Sequence, residues 1–241
     1  MNCSPEYFNA YVDGFNLYKG ILQDKNNLKW LDLRSFCQSR WPEKELAEVY
    51  FFTAGLKERF RGDDAPRRQH TYIRALEGSG VHVIKGVFRK DPDWLRLYGT
   101  THNQIIQPTL ADPIGLIQEA FDAAADKAKP DNLTGHVWKF GEKGSDVNLA
   151  SYLLVETLSD PSKGALVISG DSDLCTPIRF AVKAGAEVKV SVPNKGQGVS
   201  ALRQAASYVE EMHADWLKNH QFPKQVLTTS GKHVIRPEKW S

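Results

Sequence analysis

Ala165-Leu166-Val167-Ile168-Ser169-Gly170-Asp171-Ser172-Asp173 is the stretch that decides the fold. It opens as a continuous apolar run, the pattern of a strand buried on both faces, and breaks at Ser-Gly. An Asp-x-Asp then leads into a helix with Leu174, Ile178, Ala181 and Val182 in apolar period. Working outward, the same alternation repeats. Strands are expected at Tyr7 to Asp13, Ala47 to Thr53, Val81 to Lys85, near Val137 to Phe140, and at Glu187 to Val192. Helices are expected over Leu33 to Arg40 behind an Asp32 cap, Ala65 to Leu76, the segment after Asp146 with Val147, Ala150, Leu154 and Leu158, and Ser200 to Ala206. Strands and helices that alternate this regularly predict an α/β fold with a central, mainly parallel sheet covered by helices.

Periodicity dissolves between Asp91 and Pro113 and resumes as an expected helix over Ile114 to Lys127, followed by a Pro130-Asp131-Asn132 turn. Residues 91–135 therefore read as an insertion in a domain covering 1–215. A short helix is expected at Met212 to Lys218. Residues 216–241 read as a C-terminal extension, with Ile235 and Trp240 as its apolar anchors.

Four acids, Asp13, Asp146, Asp171 and Asp173, lie at strand C-terminal ends or helix N-termini. Any one alone would serve as a helix cap. Together they are placed as an open parallel sheet places ligand groups, at the crevice beyond its strand ends. Carboxylates without His or Cys suit a hard cation, Mg²⁺ or Mn²⁺, which keeps waters and contacts phosphate oxygens. In Asp13-Gly14-Phe15-Asn16, Gly14 is expected to permit a sharp turn and Asn16 to orient a water or phosphate oxygen. Ser169, Ser172 and Lys143 are further candidates for contact with phosphate.

The 241 residues are 41% apolar with a net charge of +2, enough for a real core and too balanced for a global basic field. A local basic run spans residues 56–90, where nine Lys and Arg face four Asp and Glu; Arg67 and Arg68 are its central candidates for binding RNA. Three cysteines without metal spacing read as reduced, cytoplasmic thiols, and the seven scattered histidines do not resemble a zinc set. No apolar run approaches the ~18 residues of a membrane span.

The motifs Asp13-Gly14-Phe15-Asn16, Lys143-Gly144-Ser145-Asp146-Val147 and Ser169-Gly170-Asp171-Ser172-Asp173, in that order, resemble the NYN family, itself similar to PIN-domain and flap-type nucleases. The resemblance covers residues 7–215 and extends to Gly185-Ala186-Glu187-Val188 and the Ser200 to Ala206 helix. It implies a PIN-like three-layer α/β/α sandwich and a metal-dependent endoribonuclease acting on RNA, single-stranded in the first instance. Asp13, Asp146, Asp171 and Asp173 match the family's metal-coordinating acids, with Asn16 and Lys143 beside them. Some bacterial relatives carry a cysteine-bearing loop before the Lys-Gly-x-Asp helix; this chain has no Cys between Cys37 and Cys175.

Two other functions compete. One is a PIN-like RNA-binding or regulatory scaffold that keeps the acids without cleaving. The other is a haloacid-type phosphohydrolase, disfavoured because its Asp-x-Asp follows the first strand whereas here it comes late. Oligomeric state is left open, a homo-oligomer included.

Overall fold

The computed structural model describes residues 6–58, 60–96, 134–193, 199–228 and 231–240. The chain opens with β1 (Tyr7–Asp13), buried from Phe8 onward, as befits a central strand. A short helix α1 (Gly14–Leu17) follows and continues as a π-helical turn over Tyr18–Leu22. Helix α2 (Leu33–Arg40) is capped by Asp32, whose carboxylate accepts the Ser35 N–H at 3.1 Å. Then come β2 (Glu45–Ala54), α3 (Ala65–Gly78), β3 (His82–Arg96), β4 (Thr134–Lys143), α4 (Ser145–Ser159) and β5 (Gly164–Ile168). After β5 a 3-10 turn (Ser172–Leu174) enters α5 (Cys175–Lys183). The chain continues through β6 (Val188–Val192), α6 (Val199–Ala205), β7 (Tyr208–Glu211), α7 (Ala214–Lys218) and the antiparallel hairpin of β8 (Gln225–Leu227) and β9 (His233–Ile235).

Strands β3, β2, β1, β5, β6 and β7 lie in that order, each parallel to its neighbours. Because strand side chains alternate between faces, each central strand feeds two cores. On one face Phe8, Val12, Leu166 and Ile168 pack with Leu33 and Phe36 of α2 and Leu76 of α3. On the other, Tyr11, Val167 and Val190 pack with Leu149 and Leu153 of α4, Ile178 of α5 and Leu202 of α6. This is an α/β three-layer sandwich. The chain divides into two compact units, one formed by Met1–Phe88 with Glu142–Ser241, the other by Arg89–Gly141. The second holds the far part of β3 and most of β4, neighbours in the sheet order. The helix expected over Ile114 to Lys127 and the turn at Pro130 to Asn132 lie outside the described residues. Among the described residues no helix is long and apolar enough to cross a membrane.

Residues 216–241 do not behave as an appendage. Leu217, Phe222, Val226, Val234 and Trp240 belong to the first core. Trp30 meets Phe222 and Trp240 at ring-centroid distances of 5.8 Å and 6.2 Å, and its indole N–H donates to the Pro223 carbonyl at 2.8 Å. Ile235, expected as an anchor, is exposed, while its neighbour Val234 is buried. In a strand only one of two successive residues can face inward, and the register of the hairpin selects Val234.

Truncating Phe222 tests whether this tail is core. Phe222→Ala should cost about 3–5 kcal/mol in urea unfolding, the range for deleting a buried aromatic ring. A loss below ~1 kcal/mol would mark the tail as dispensable.

Candidate metal centre

From β1 the chain proceeds through β2 to β3 on one side, and from β5 through β6 to β7 on the other. Such a reversal leaves a crevice beyond the strand carboxyl ends, because the connections diverge there. The register pairs Val12 with Ile168, so Asp13, the last residue of β1, stands beside Ser169. Asp13 is only 4% exposed. Its Oδ1 accepts the Asn16 N–H at 2.9 Å and its Oδ2 accepts the Ser169 hydroxyl at 2.9 Å. Ser169 Oγ in turn accepts the Asp171 N–H at 3.1 Å, and Asp171 Oδ1 accepts the Asp173 N–H at 2.9 Å. Asn16 closes the network from the other side, its Oδ1 accepting the Gly170 N–H at 3.0 Å. Asp13, Asn16, Ser169, Asp171 and Asp173 thus form one hydrogen-bonded chain across the β1–β5 crevice.

Gly14 does not take the left-handed conformation that a sharp turn would use. Its constraint is proximity: a Cβ there would lie 2.6 Å from Phe51 Cζ and 2.8 Å from the Phe52 carbonyl oxygen. Bare backbone lets α1 start against β2. A similar approach places the second acid-bearing element. Gly144, at φ 88°, precedes α4 and needs the left-handed freedom that glycine has. Across from it, a Cβ on Gly86 would lie 2.7 Å from both the Lys143 carbonyl oxygen and Ser145 Oγ.

Asp146 sits in the first turn of α4, and that helix packs against the Ser172–Leu174 turn. Burial, then the charges of Asp171 and Asp173, push the Asp146 carboxyl above its ordinary value. Among the described residues no group of three or more His, Cys, Asp or Glu side chains is close enough to hold a metal ion. The expected convergence of all four acids into one ligand set is therefore only partial. Asp13 is drawn into hydrogen bonds, and Asp146 is opposed by like charges. The donors offered are all oxygen, the type a hard divalent cation takes, although the side chains as placed do not close into a ligand set.

The remaining candidates separate. Ser169 cannot offer its proton to phosphate, because that proton is committed to Asp13; it is a positioning residue. Ser172 and Lys143 are exposed near the acids, on the 3-10 turn and immediately before Gly144. Arg67 is exposed on α3, whereas Arg68 forms an ion pair with Asp64 one turn earlier and is half-buried. The Arg67–Arg68 pair is thus one solvent-facing cation and one that staples the start of α3.

Sequence reasoning passed over Gly86 and the exposed rings of Phe15 and Tyr18. A signal for the rings was present: Phe15, Tyr18 and Lys19 recur at i, i+3 and i+4, opposite the inward Leu17, Ile21 and Leu22.

The chain matches no protein-family model. It is 24% identical over 266 aligned residues to 6-hydroxy-3-succinoylpyridine 3-monooxygenase HspA of Pseudomonas putida (strain DSM 28022 / S16), an alignment covering all of this chain and 77% of that protein. It is also similar to a crystal structure of VPA0982, a protein of unknown function from Vibrio parahaemolyticus RIMD 2210633, with a TM-score of 0.47 and 15% identity over 88% of this chain and 96% of that one. Neither likeness transfers a residue's role.

The Asp146 shift has a signed consequence for stability. A carboxyl held above its ordinary value of 3.8 binds its proton more tightly in the folded chain than in the unfolded one. Stability therefore falls as pH rises through that window. In chelator, Asp146→Asn should melt above the wild type at pH 7, and the two should converge below pH 3.8. An Asn variant that melts lower at pH 7 would mean that favourable contacts, not repulsion, dominate at this carboxylate.

Proposed function

We propose that this chain is a metal-dependent endoribonuclease that hydrolyses RNA phosphodiester bonds at the carboxyl ends of β1 and β5. The observation that carries this reading is the hydrogen-bonded network, buried at Asp13 and half-buried at Asp171, that joins the two through Ser169, with Asp146 raised by burial and by the charges of Asp171 and Asp173. The resemblance of the same three motifs to the NYN family supports it. So does the placement of all-oxygen donors at a sheet switch point.

Asp13 and Asp171 would hold the main Mg²⁺ or Mn²⁺, with Asp146 and Asp173 taking a second ion or its waters. Such an ion, when bound, supplies positive charge for the phosphoryl oxygens and lowers the pKa of a water. The chain's own residues do the rest. Ser169 and the Asn16 N–H fix the direction of the Asp13 carboxylate, and a site fixed in advance loses little on reorganising. With Asn16 Oδ1 held by Gly170, its amide N–H groups are the donors on offer to a phosphate oxygen. Lys143, exposed just before α4, and Arg67, exposed on α3, would offer positive charge to the substrate phosphates.

The rival reading is an RNA-binding scaffold that keeps the acids without cleaving. Carboxylates left unneutralised beside a phosphate chain would weaken its own ligand, which favours the nuclease. The Pseudomonas relative is a 6-hydroxy-3-succinoylpyridine 3-monooxygenase; at 24% identity that activity brings no residue assignment with it.

Labelled single-stranded RNA and DNA, incubated with Mg²⁺, Mn²⁺ or chelator, decide between these. Wild type should cut RNA only with metal. Asp171→Asn, which keeps shape and capping but removes a charge, should cut at least about 100-fold more slowly, beyond the 10–100-fold typical of losing an outer-shell group. Metal-stimulated RNA cleavage by the variant at the wild-type rate would defeat the assignment. Tight RNA binding without cleavage in any metal would establish the scaffold instead.

A further inference from the structure

Helix α1 and its π-helical continuation show two contrasting faces. Leu17, Ile21 and Leu22 point into the first core, while Phe15 and Tyr18 remain 51% and 42% exposed. Each exposed ring carries a cation. Lys19 Nζ stands 5.9 Å from the Phe15 ring centroid and Lys29 Nζ 5.3 Å from that of Tyr18. Lys29 is pinned, donating to the Gln23 carbonyl at 2.7 Å and to Asn26 Oδ1 at 2.8 Å. Lys29 is itself buried, and burial, then the charge of Arg68, lowers its pKa against the opposing pull of Asp24. Phe15 follows Asp13 by two residues, and the backbone there is anchored because the next residue, Asn16, is hydrogen-bonded to Asp13 and Gly170.

We propose that Phe15 and Tyr18, with the exposed Lys19 at the Phe15 ring and the buried Lys29 backing the Tyr18 ring, form a base-stacking platform that receives single-stranded nucleic acid beside the strand-end acids. Isolated exposed aromatics are ordinary on protein surfaces. Two on successive turns, each paired with a lysine and lying next to a phosphate-directed site, match what a single strand presents: flat bases joined by a polyanion. Every base has a π face, so the platform would hold the strand without choosing sequence. The inference rests on the substrate class of the nuclease reading and extends it to how the strand is held.

The test measures binding in the Asp171→Asn background with Mg²⁺, on a timescale too short for its slowed cutting to consume the probe. One probe is a labelled ten-nucleotide single-stranded RNA, the other a sugar-phosphate chain of equal length without bases. The base-bearing probe should bind roughly 5–150-fold tighter, the range for one stacked base. Phe15→Ala should remove most of that advantage, and Phe15→Tyr should retain it, with melting temperatures unchanged in both. Lys19→Gln should weaken both probes alike and flatten their salt dependence. Equal binding of the two probes by the parent, or an unchanged advantage in Phe15→Ala, would overturn the platform and leave these rings to a protein partner. Cleavage separates the two readings. RNA cutting by wild type without base preference removes the platform alone, base-dependent binding without cutting removes the nuclease alone, and no binding of either probe removes both.

Discussion

The hydrogen bond from the Ser169 hydroxyl to Asp13 Oδ2 is the contact on which the rest of the site depends. It is buried and one partner is ionisable, so it belongs with the stronger class of protein hydrogen bonds, worth about 1.5–3 kcal/mol. More important is what it joins. Asp13 ends β1 and Ser169 follows β5, two strands that are adjacent only because the sheet order reverses between them. Through Ser169 Oγ the bond reaches the Asp171 N–H, and through Asp171 it reaches Asp173. One hydroxyl thus converts a topological crevice into a defined arrangement of acids.

That arrangement works against stability. Asp146 is raised first by burial and then by the charges of Asp171 and Asp173, so its ionised form is disfavoured in the folded chain. Two close backbone approaches place the elements that carry the acids: Gly14 lets α1 start against β2, and Gly86 lets the Lys143–Ser145 turn lie against β3. Natural proteins tolerate such frustration mainly at functional sites.

The sheet was legible because its central strands are buried on both faces, which leaves a continuous apolar run at Gly164–Ile168 and a largely apolar one, broken by Asn9, at Tyr7–Asp13. The acids were legible because they punctuate those runs. Where the reading fell short, the cause was three-dimensional. Strand β7 is four residues with two glutamates, and nothing local distinguishes Tyr208–Glu211 from a loop until it pairs with β6. The tail carries its anchors singly, at Phe222, Val226, Val234 and Trp240, with no period to reveal that they converge on Trp30 and its surroundings. Gly14 was recognised as necessary, but for a turn rather than for contact with Phe51. Ser169 was assigned to phosphate because sequence cannot show where a hydroxyl proton is already committed.

The central claim is that these carboxylates hold a divalent cation. The most direct measurement is anomalous diffraction from crystals soaked in Mn²⁺. The account predicts a manganese peak about 2.0–2.2 Å from carboxylate oxygens of Asp13 and Asp171, with Asp146 or Asp173 turned toward it directly or through water. Manganese absent from the β1–β5 crevice at full occupancy elsewhere, with Asp13 and Asp146 unmoved, would contradict it.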